Sequence, residues 1–319
     1  MGTFVWRRII LTVPVVLGVS LVVFLMLHFL PGDPVMMMLT EHRGGAASTT
    51  GTITDEMYHD MRRELGLDQP LPAQFGRFLL NVGRGDLGKS FRGGEPVLDM
   101  IRNNLPYTLV LTVASLGIAV VLGLLFGIVA GVYRGTWIDR FSMAISVVGV
   151  SMPSFWLGIL LLLIFALHLR LFPAIGSAAN WRSIVLPAVA LGFSASAIIA
   201  RLVRASLVEV LNQLYVVTAR AKGIRERVVV VNHALRNALI PVVTVVGLQF
   251  GNLLGGTVVV ETVFARPGIG RIAVNGILDK DFPVVQGVVL FSALVYVLVN
   301  FLVDISYAWL NPRIRFGQR

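Results

Sequence analysis

The sequence predicts an all-α membrane protein that crosses a bilayer with six transmembrane helices and carries a long cytoplasmic loop between spans 4 and 5. Three observations predict it. Of the 319 residues 56% are hydrophobic and only 14% charged, and the mean hydropathy is +0.81. A soluble domain carries about a quarter charged residues because water must solvate its surface, so lipid belongs to the expected solvent. Charge-free stretches recur along the chain, and the excess of basic residues falls on one side of them.

A helix needs about 20 mainly apolar residues to cross a hydrocarbon layer roughly 30 Å thick. Six windows free of Asp, Glu, Lys and Arg meet that need: Ile9–Leu30, Leu105–Tyr133, Phe141–Leu169, Ile184–Ala200, Leu239–Val260 and Phe282–Val303. The first follows Arg7 and Arg8, as a secretory signal would. Its apolar run is longer than a signal's, however, and Leu27-His28-Phe29 is no small-residue cleavage site, so a retained helix is expected. The fourth window is the shortest and relies on Arg201 and Arg204 lying at head-group level.

Orientation follows from charge. With the N-terminus in the cytoplasm, residues 1–8, 134–140, 201–238 and 304–319 are cytoplasmic and hold 14 Lys/Arg against four acids. The other side holds 13 of each, so the formal +10 belongs to the cytoplasmic face, as the positive-inside rule expects. A pI near 10.8 suggests nucleic acid in a soluble protein. Here the basic residues flank spans without interleaved aromatics, and no nucleic-acid partner is expected.

Other chemistries lack their residues. There is no cysteine, and the histidines (His28, His42, His59, His168 and His233) have no ligand spacing, so no metal site is expected. The string Gly83-Arg-Gly-Asp-Leu-Gly-Lys-Ser90 has the letters of a phosphate-binding loop, but it follows no predicted strand and lies outside the cytoplasmic stretches, so no ATP site is expected in this chain.

The chain then divides into three parts: residues 1–30, with the first span; an extracytoplasmic segment, 31–104; and a five-span core, 105–315. The outer segment contains a glycine-, serine- and threonine-rich stretch, 44–51, followed by two short amphipathic helices. One is capped by Thr54, has Asp55 and Glu56 in its first turn and ends at Gly66. The other begins at Pro72 and puts Phe75, Phe78, Leu79 and Val82 on one face. A structural cap over the span ends is the plainer reading of this segment.

The cytoplasmic connection, 201–238, is helical in period through Val208, Leu211, Leu214 and Tyr215. Small residues then cluster at Thr218, Ala219, Ala221 and Gly223. Gly223 terminates the helix, since glycine alone takes the left-handed conformation freely, and a second helical run covers Arg225–Leu239. Arg220, Lys222, Arg225, Arg227 and Arg236 have two readings, acidic groups of a partner protein or topology and anionic lipid.

At this connection the sequence resembles a known family. Tyr215-Val-Val-Thr-Ala-Arg-Ala-Lys-Gly-Ile224 and His233-Ala-Leu-Arg-Asn-Ala-Leu-Ile-Pro241 are similar to the EAA loop of dipeptide/oligopeptide ABC-importer permeases. Further blocks agree in order: Arg7-Arg8 and Leu30-Pro-Gly-Asp-Pro34; Leu65-Gly-Leu-Asp68, Pro70-Leu71, Gly85-Asp-Leu-Gly88 and Pro106-Tyr-Thr-Leu109; Val263-Phe-Ala-Arg-Pro-Gly-Ile-Gly270, Asp281-Phe-Pro283, Gln286-Gly287 and Asn311-Pro-Arg-Ile-Arg315. The resemblance covers about residues 4–315. Val217 stands where the general EAA pattern has Glu, Thr218 replaces its first Ala, and Asn311 occupies a position where an acid is common. Pro241 also lies further from Gly223 than in the general pattern, as in other peptide-type members.

The resemblance implies a binding-protein-dependent transport component of a bacterial or archaeal inner membrane, multi-pass, with both termini cytoplasmic. It implies a second permease subunit, two cytoplasmic ATPase subunits and an extracytoplasmic substrate-binding protein as partners beside the lipid bilayer. ATP and Mg would sit on the ATPases, with no cofactor and no catalytic residue in this chain. The coupling loop would comprise Tyr215, Thr218, Ala219, Arg220, Ala221, Lys222 and Gly223. Related permeases also carry glutathione, nickel complexes or oligosaccharides, which leaves cargo open; a non-transporting membrane scaffold is the reading of a different class.

The chemistry of the windows suits energy delivered from outside the membrane, since they hold no carboxylate for ion coupling. Gly123, Gly127 and Gly131 in the second window and Gly247, Gly251 and Gly255 in the fifth form small-residue faces that admit close helix approach. Packing within the chain is the first reading and contact with the second permease the other. In the third, Pro153 removes a backbone donor. Ser151, Pro153 and Ser154, with Gln249 and Asn252, either line the translocation pathway or are a tolerated kink and packed polar groups. Arg266–Gly270 reads first as a Pro-Gly turn between two spans, with a seal of the outer mouth or a contact for the binding protein as lesser readings.

Overall fold

The computed structural model of the chain describes residues 2–29, 35–36, 39, 55–64, 67–175 and 180–310. The blocks Leu30–Pro34 and Asn311–Arg315, the stretch 44–51, and the expected cap residues Thr54 and Gly66 lie outside the described residues. Among those described, every extended element is a helix, with an isolated bridge between Lys89 and Pro96. In chain order they are α1 (Gly2–Phe29), α2 (Asp55–Glu64), α3 (Leu71–Gly83), α4 (Val97–Val132), α5 (Trp137–Ser151), α6 (Ser154–His168), α7 (Arg182–Leu211), α8 (Leu214–Ala221), α9 (residues 226–238), α10 (Ile240–Val263), α11 (Ile269–Leu278) and α12 (Phe282–Leu310).

Helices α4, α7, α10 and α12 are each long and apolar enough to cross a membrane, and α5 with α6 passes that test as a pair bent by 102°. Helix α1 occupies the first window, with Ile10–Met26 as its described apolar stretch. The helices outrun the charge-free windows. α4 starts at Val97 rather than Leu105, α7 continues past Arg201 and Arg204, and α10 takes in Glu261. Charge marks where hydrocarbon ends, whereas a helix propagates as long as each added residue closes another hydrogen bond.

The third window departs most from expectation. Instead of one disturbed helix over Phe141–Leu169, two helices meet at Met152 (φ −90°, ψ 124°) and Pro153 (φ −58°, ψ 136°), both extended. The proline ring disfavours the helical region for the residue before it, so Met152 cannot continue α5. Pro153 then supplies the start of α6, whose second half widens into π-type turns over Leu162–His168.

The described residues fall into two compact units, those within 106–270 and 298–310 and those within 2–105 and 271–297. In the first, α7 is the central helix: 67% of its most apolar window is buried, against 28% for α10. α4 lies against it at glycine. A Cβ on Gly123 would stand 2.7 Å from Ile199 Cβ, one on Gly127 2.6 Å from Val203 Cβ, and one on Gly131 2.9 Å from Leu207 Cδ2. Gly192 of α7 repeats this toward Ile118, and Gly247 of α10 toward Val303. Gly251 is buried, whereas a Cβ on Gly255 would meet nothing within 4 Å.

In the second unit, Pro72 lies in the first turn of α3, as its fixed φ favours. Phe75 and Phe78 of its apolar face pack on Phe24 of α1, ring centroids 5.4 and 5.9 Å apart. The loop after α3 is tied to the turn before α12. Ser90 Oγ donates to the buried Asp281 carboxylate, as does Phe91 N–H at 3.2 Å, and Arg92 pairs with Asp279.

Candidate functional site

The connection between α7 and α10 folds as a short helix seated on a small core of its own. Gln213 is extended and starts α8, and Gly223, at φ +76°, ends the turn that follows it. That φ lies in the left-handed region, which costs a residue with a Cβ about 1–2 kcal/mol. Val216 and Ala219, three residues apart, turn inward onto Leu207 and Val210 of α7 and onto Val229, Ala234 and Ala238 of α9. Val216 is fully buried, and removing such a side chain from water contributes about 1.5–3 kcal/mol.

Polar contacts brace both ends of the seat. Asn237 Nδ2 donates to Tyr215 Oη at 2.7 Å, and the hydroxyl reaches the His233 carbonyl at 3.4 Å. Arg220 forks onto Glu226, Nε to Oε2 at 3.0 Å and Nη2 to Oε1 at 2.6 Å, and Nη1 reaches the Leu211 carbonyl at 3.4 Å. These bonds hold the Glu226 carboxyl below the ordinary range and raise the Arg220 guanidinium above its own. What faces outward is Leu214, 85% exposed, with Tyr215, Val217, Thr218, Ala221, Lys222 and Gly223.

Of the expected coupling residues, Tyr215, Thr218, Ala221, Lys222 and Gly223 are therefore exposed together, while Ala219 belongs to the inner face. Arg220 is engaged within the chain. The pattern of small residues marks the helix, but which side of it packs inward depends on α7 and α9, which the local sequence does not contain. Thr218 Oγ1 donates back to the Leu214 carbonyl at 2.9 Å, so its hydroxyl stays within the helix. Leu214, read from the sequence only for its helical period, and Val217, read only as a departure from the EAA pattern, are the largest aliphatic groups on the outer face.

Among the candidate pathway residues, Ser151 and Pro153 are exposed at the break and Ser154 is half-buried. Gln249 is buried and accepts a bond from the exposed Asn252 amide at 2.9 Å.

At the other end of the same unit, where α10 ends and α7 begins, lies a buried polar cluster. The fully buried Glu261 carboxylate accepts from Thr108 Oγ1 at 2.7 Å and from Gly270 N–H at 2.9 Å. Thr108 Oγ1 accepts in turn from Ile269 N–H at 2.9 Å, and Gly268 abuts the Glu261 carboxylate closely enough to exclude any side chain. Arg266 is buried beside it, with Nη1 3.2 Å from Ser183 Oγ. Burial pushes its guanidinium below the ordinary value, against the opposing pull of Glu261 and Tyr107. The Pro-Gly turn thus folds onto a carboxylate that the charge-free window missed by one residue. Among the described residues, no group of three His, Asp or Glu is placed to hold a metal ion.

This architecture is that of known transport proteins. The model of the binding-protein-dependent transport system inner membrane component matches residues 123–316, and its N-terminal companion matches residues 1–112. The chain is 46% identical to a glutathione transport system permease protein, GsiC, of Pectobacterium atrosepticum, over 97% of this chain and 98% of the relative. It is 44% identical to the GsiC of Escherichia coli strain K12, over 99% and 100%. Among solved structures, the inward-facing MetNI methionine ABC transporter aligns with TM-score 0.57 at 22% identity, over 66% of this chain and 96% of that one. An amino acid ABC transporter crystallised with histidines aligns with TM-score 0.52 at 17% identity, over 74% and 98%. Such distant likeness speaks to the fold. The chain belongs to the binding-protein-dependent transport system inner membrane component family, as a multi-pass inner-membrane permease of the peptide type of ABC importer.

Proposed function

We propose that this permease forms the translocation pathway of an ATP-driven importer of short peptides, with glutathione as its first candidate cargo. Glutathione, a modified tripeptide, is one of the alternative cargoes left open by the sequence, and relatives matched over nearly their whole length bear its name. Nickel complexes and oligosaccharides have no such support.

In this reading six spans, α1 among them, cross the membrane with both termini in the cytoplasm. A second permease subunit completes the pathway, two ATPase subunits bind ATP and Mg, and an extracytoplasmic binding protein delivers cargo. The chain itself needs no cofactor and carries out no hydrolysis. α8 is its coupling helix. The observation that carries this is the two-sidedness of α8, with Val216 and Ala219 locked inward while Leu214, Tyr215, Val217 and Lys222 are presented outward. A helix fixed so firmly on one side passes a push on its other side into α7. The exposed leucine and valine supply an apolar contact, and Lys222 with Arg225 and Arg227 suits an acidic rim around it.

The test is reconstitution of the chain with its partner permease, ATPases and binding protein in proteoliposomes, followed by uptake of labelled glutathione and dipeptides. Uptake that requires both ATP and the binding protein is expected, with glutathione outcompeting dipeptides. A complex that hydrolyses ATP and moves neither would overturn the cargo, and a chain that binds no ATPase would overturn the coupling role.

A further inference from the structure

Helices α5 and α7 touch along a face of small and polar side chains. The buried residues of α5 are Asp139, Ser142, Ser146 and Gly149, spaced three, four and three apart on one side of the helix. Ser146 Oγ donates to the Ser142 carbonyl of its own helix at 3.0 Å, and a Cβ on Gly149 would stand 3.1 Å from the Phe193 carbonyl oxygen. Small groups of this kind allow close approach but give one helix little grip on the other.

The exception is Asp139. Arg204 Nε donates to Oδ1 at 2.6 Å and Nη2 to Oδ2 at 2.8 Å, and the N–H of Gly135 adds a third bond to Oδ2 at 3.0 Å. The carboxylate is 4% exposed. A fork of this geometry fixes both distance and orientation. Buried ion pairs add little net stability over apolar packing, and their best-attested use is to hold register. Arg204, expected at head-group level from the short fourth window, thus also has a partner within the chain.

Its place along α7 matters. Leu207 and Val210, one and two turns further on, form the seat in which Val216 and Ala219 of α8 are buried. At the far end of α5 the chain breaks at Met152 and Pro153. We propose that the Asp139–Arg204 pair is a positioning contact that makes α5, and with it the broken span, move together with α7 when α8 is displaced. This rests on the coupling role proposed above for α8. Without the fork, α7 would slide over Ser142, Ser146 and Gly149, and motion at α8 would reach the break weakened.

The experiment uses the complete reconstituted importer and measures cargo taken up per ATP hydrolysed, at matched amounts of assembled complex. The variants are Asp139→Asn, Arg204→Lys and the exchange Asp139→Arg/Arg204→Asp. Uptake per ATP should fall roughly 2- to 30-fold in Asp139→Asn, the range over which coupling residues act. Arg204→Lys, which keeps the charge but not the fork, should fall less, and the exchange should restore most of the ratio. An unchanged ratio in both single variants overturns the proposal. So does a parallel loss of uptake, hydrolysis and assembly that the exchange does not repair, since that marks a purely structural pair. Should Asp139→Asn fail to assemble, Arg204→Lys carries the comparison. If the wild-type complex hydrolyses ATP without coupled uptake, the reading of α8 itself fails and takes this proposal with it.

Discussion

Gly127 on α4 sits so close to Val203 on α7 that a Cβ built on it would stand 2.6 Å from the Val203 Cβ and 2.7 Å from the Ala200 carbonyl oxygen. The backbone oxygen cannot swing away as a side-chain tip would, so Gly127→Ala must push the two helices apart. Overpacking of this kind costs about 1–3 kcal/mol. The thermal unfolding midpoint of the purified protein in detergent should drop for Gly127→Ala and stay put for Gly255→Ala, where nothing lies within 4 Å. Equal midpoints would show that the glycine face of α4 does not set the helix spacing.

The two glycine triads look alike in the sequence, and the different fates of Gly127 and Gly255 mark where local reading stops. The apolar windows were legible because a bilayer forbids charge over a length that can be counted. The site of the break was legible at Pro153, since proline acts on its own neighbour, but the 102° bend depends on what packs against each half. Glu261 was missed because a window defined by absence of charge ends at the first carboxylate, even where helix and burial continue. The Asp139–Arg204 pair spans 65 residues of sequence, and each member alone reads as a topology charge. The helix Leu214–Ala221 was legible from its period and its small residues, yet the inward side of it at Ala219 is chosen by α7 and α9.

Glu261 should be hard to remove. Glu261→Ala strands the Gly270 N–H and the Thr108 hydroxyl and leaves the buried Arg266 without its nearby countercharge. Each buried group orphaned in this way costs about 1–3 kcal/mol, and more where the lost partner is charged. Thr108→Val should cost about 1–3 kcal/mol, the penalty for an orphaned buried polar group. Because both act on one cluster, their combined effect should be less than additive. Additive losses in the unfolding of the double variant would separate the two residues energetically.

Cysteines placed at the break and on α10 report on the pathway. Asn252 is exposed and Gln249 buried one turn away, so with α10 lining the pathway Asn252→Cys should react with a membrane-impermeant thiol reagent and Gln249→Cys should not. Ser154→Cys, half-buried beside Pro153, should change its labelling rate when ATP is added to the complete complex. Labelling that stays absent at both Asn252 and Ser154 in every nucleotide state removes them from the pathway.

The Arg220–Glu226 fork makes the base of α8 sensitive to acid. The Glu226 carboxyl is held below its ordinary value of 4.5 in the folded state, chiefly by hydrogen bonds from Arg220. A depressed folded value means the stabilisation is complete above the unfolded value and lost as pH falls through the folded one. Both side chains are substantially exposed, 40% and 57%, so water screens the pair and its worth is about 0.2–1 kcal/mol. Amide exchange in residues 214–226 should accelerate, beyond its intrinsic pH dependence, as pH drops below 4.5. Glu226→Gln should abolish that added acceleration and exchange faster than wild type at neutral pH. An identical pH profile in the variant would mean the fork does not hold α8.

Gly223 separates backbone geometry from packing more cleanly than any other residue of the connection. Its φ is +76° and an added Cβ would meet nothing within 4 Å, so any effect of substitution comes from the backbone alone. A β-branched residue resists the left-handed region, which already costs an ordinary residue about 1–2 kcal/mol, whereas asparagine visits it with less penalty. Gly223→Val should therefore refold the turn and shift the end of α8, while Gly223→Asn should leave it in place. If α8 couples this chain to an ATPase, Gly223→Val should insert into the membrane normally and hydrolyse ATP in the complex while losing most uptake. Gly223→Asn should retain uptake near the wild-type rate. Full uptake by Gly223→Val would show that the end of α8 takes no part in coupling. Equal loss in both variants would point instead to a partner that needs the bare glycine backbone at its surface.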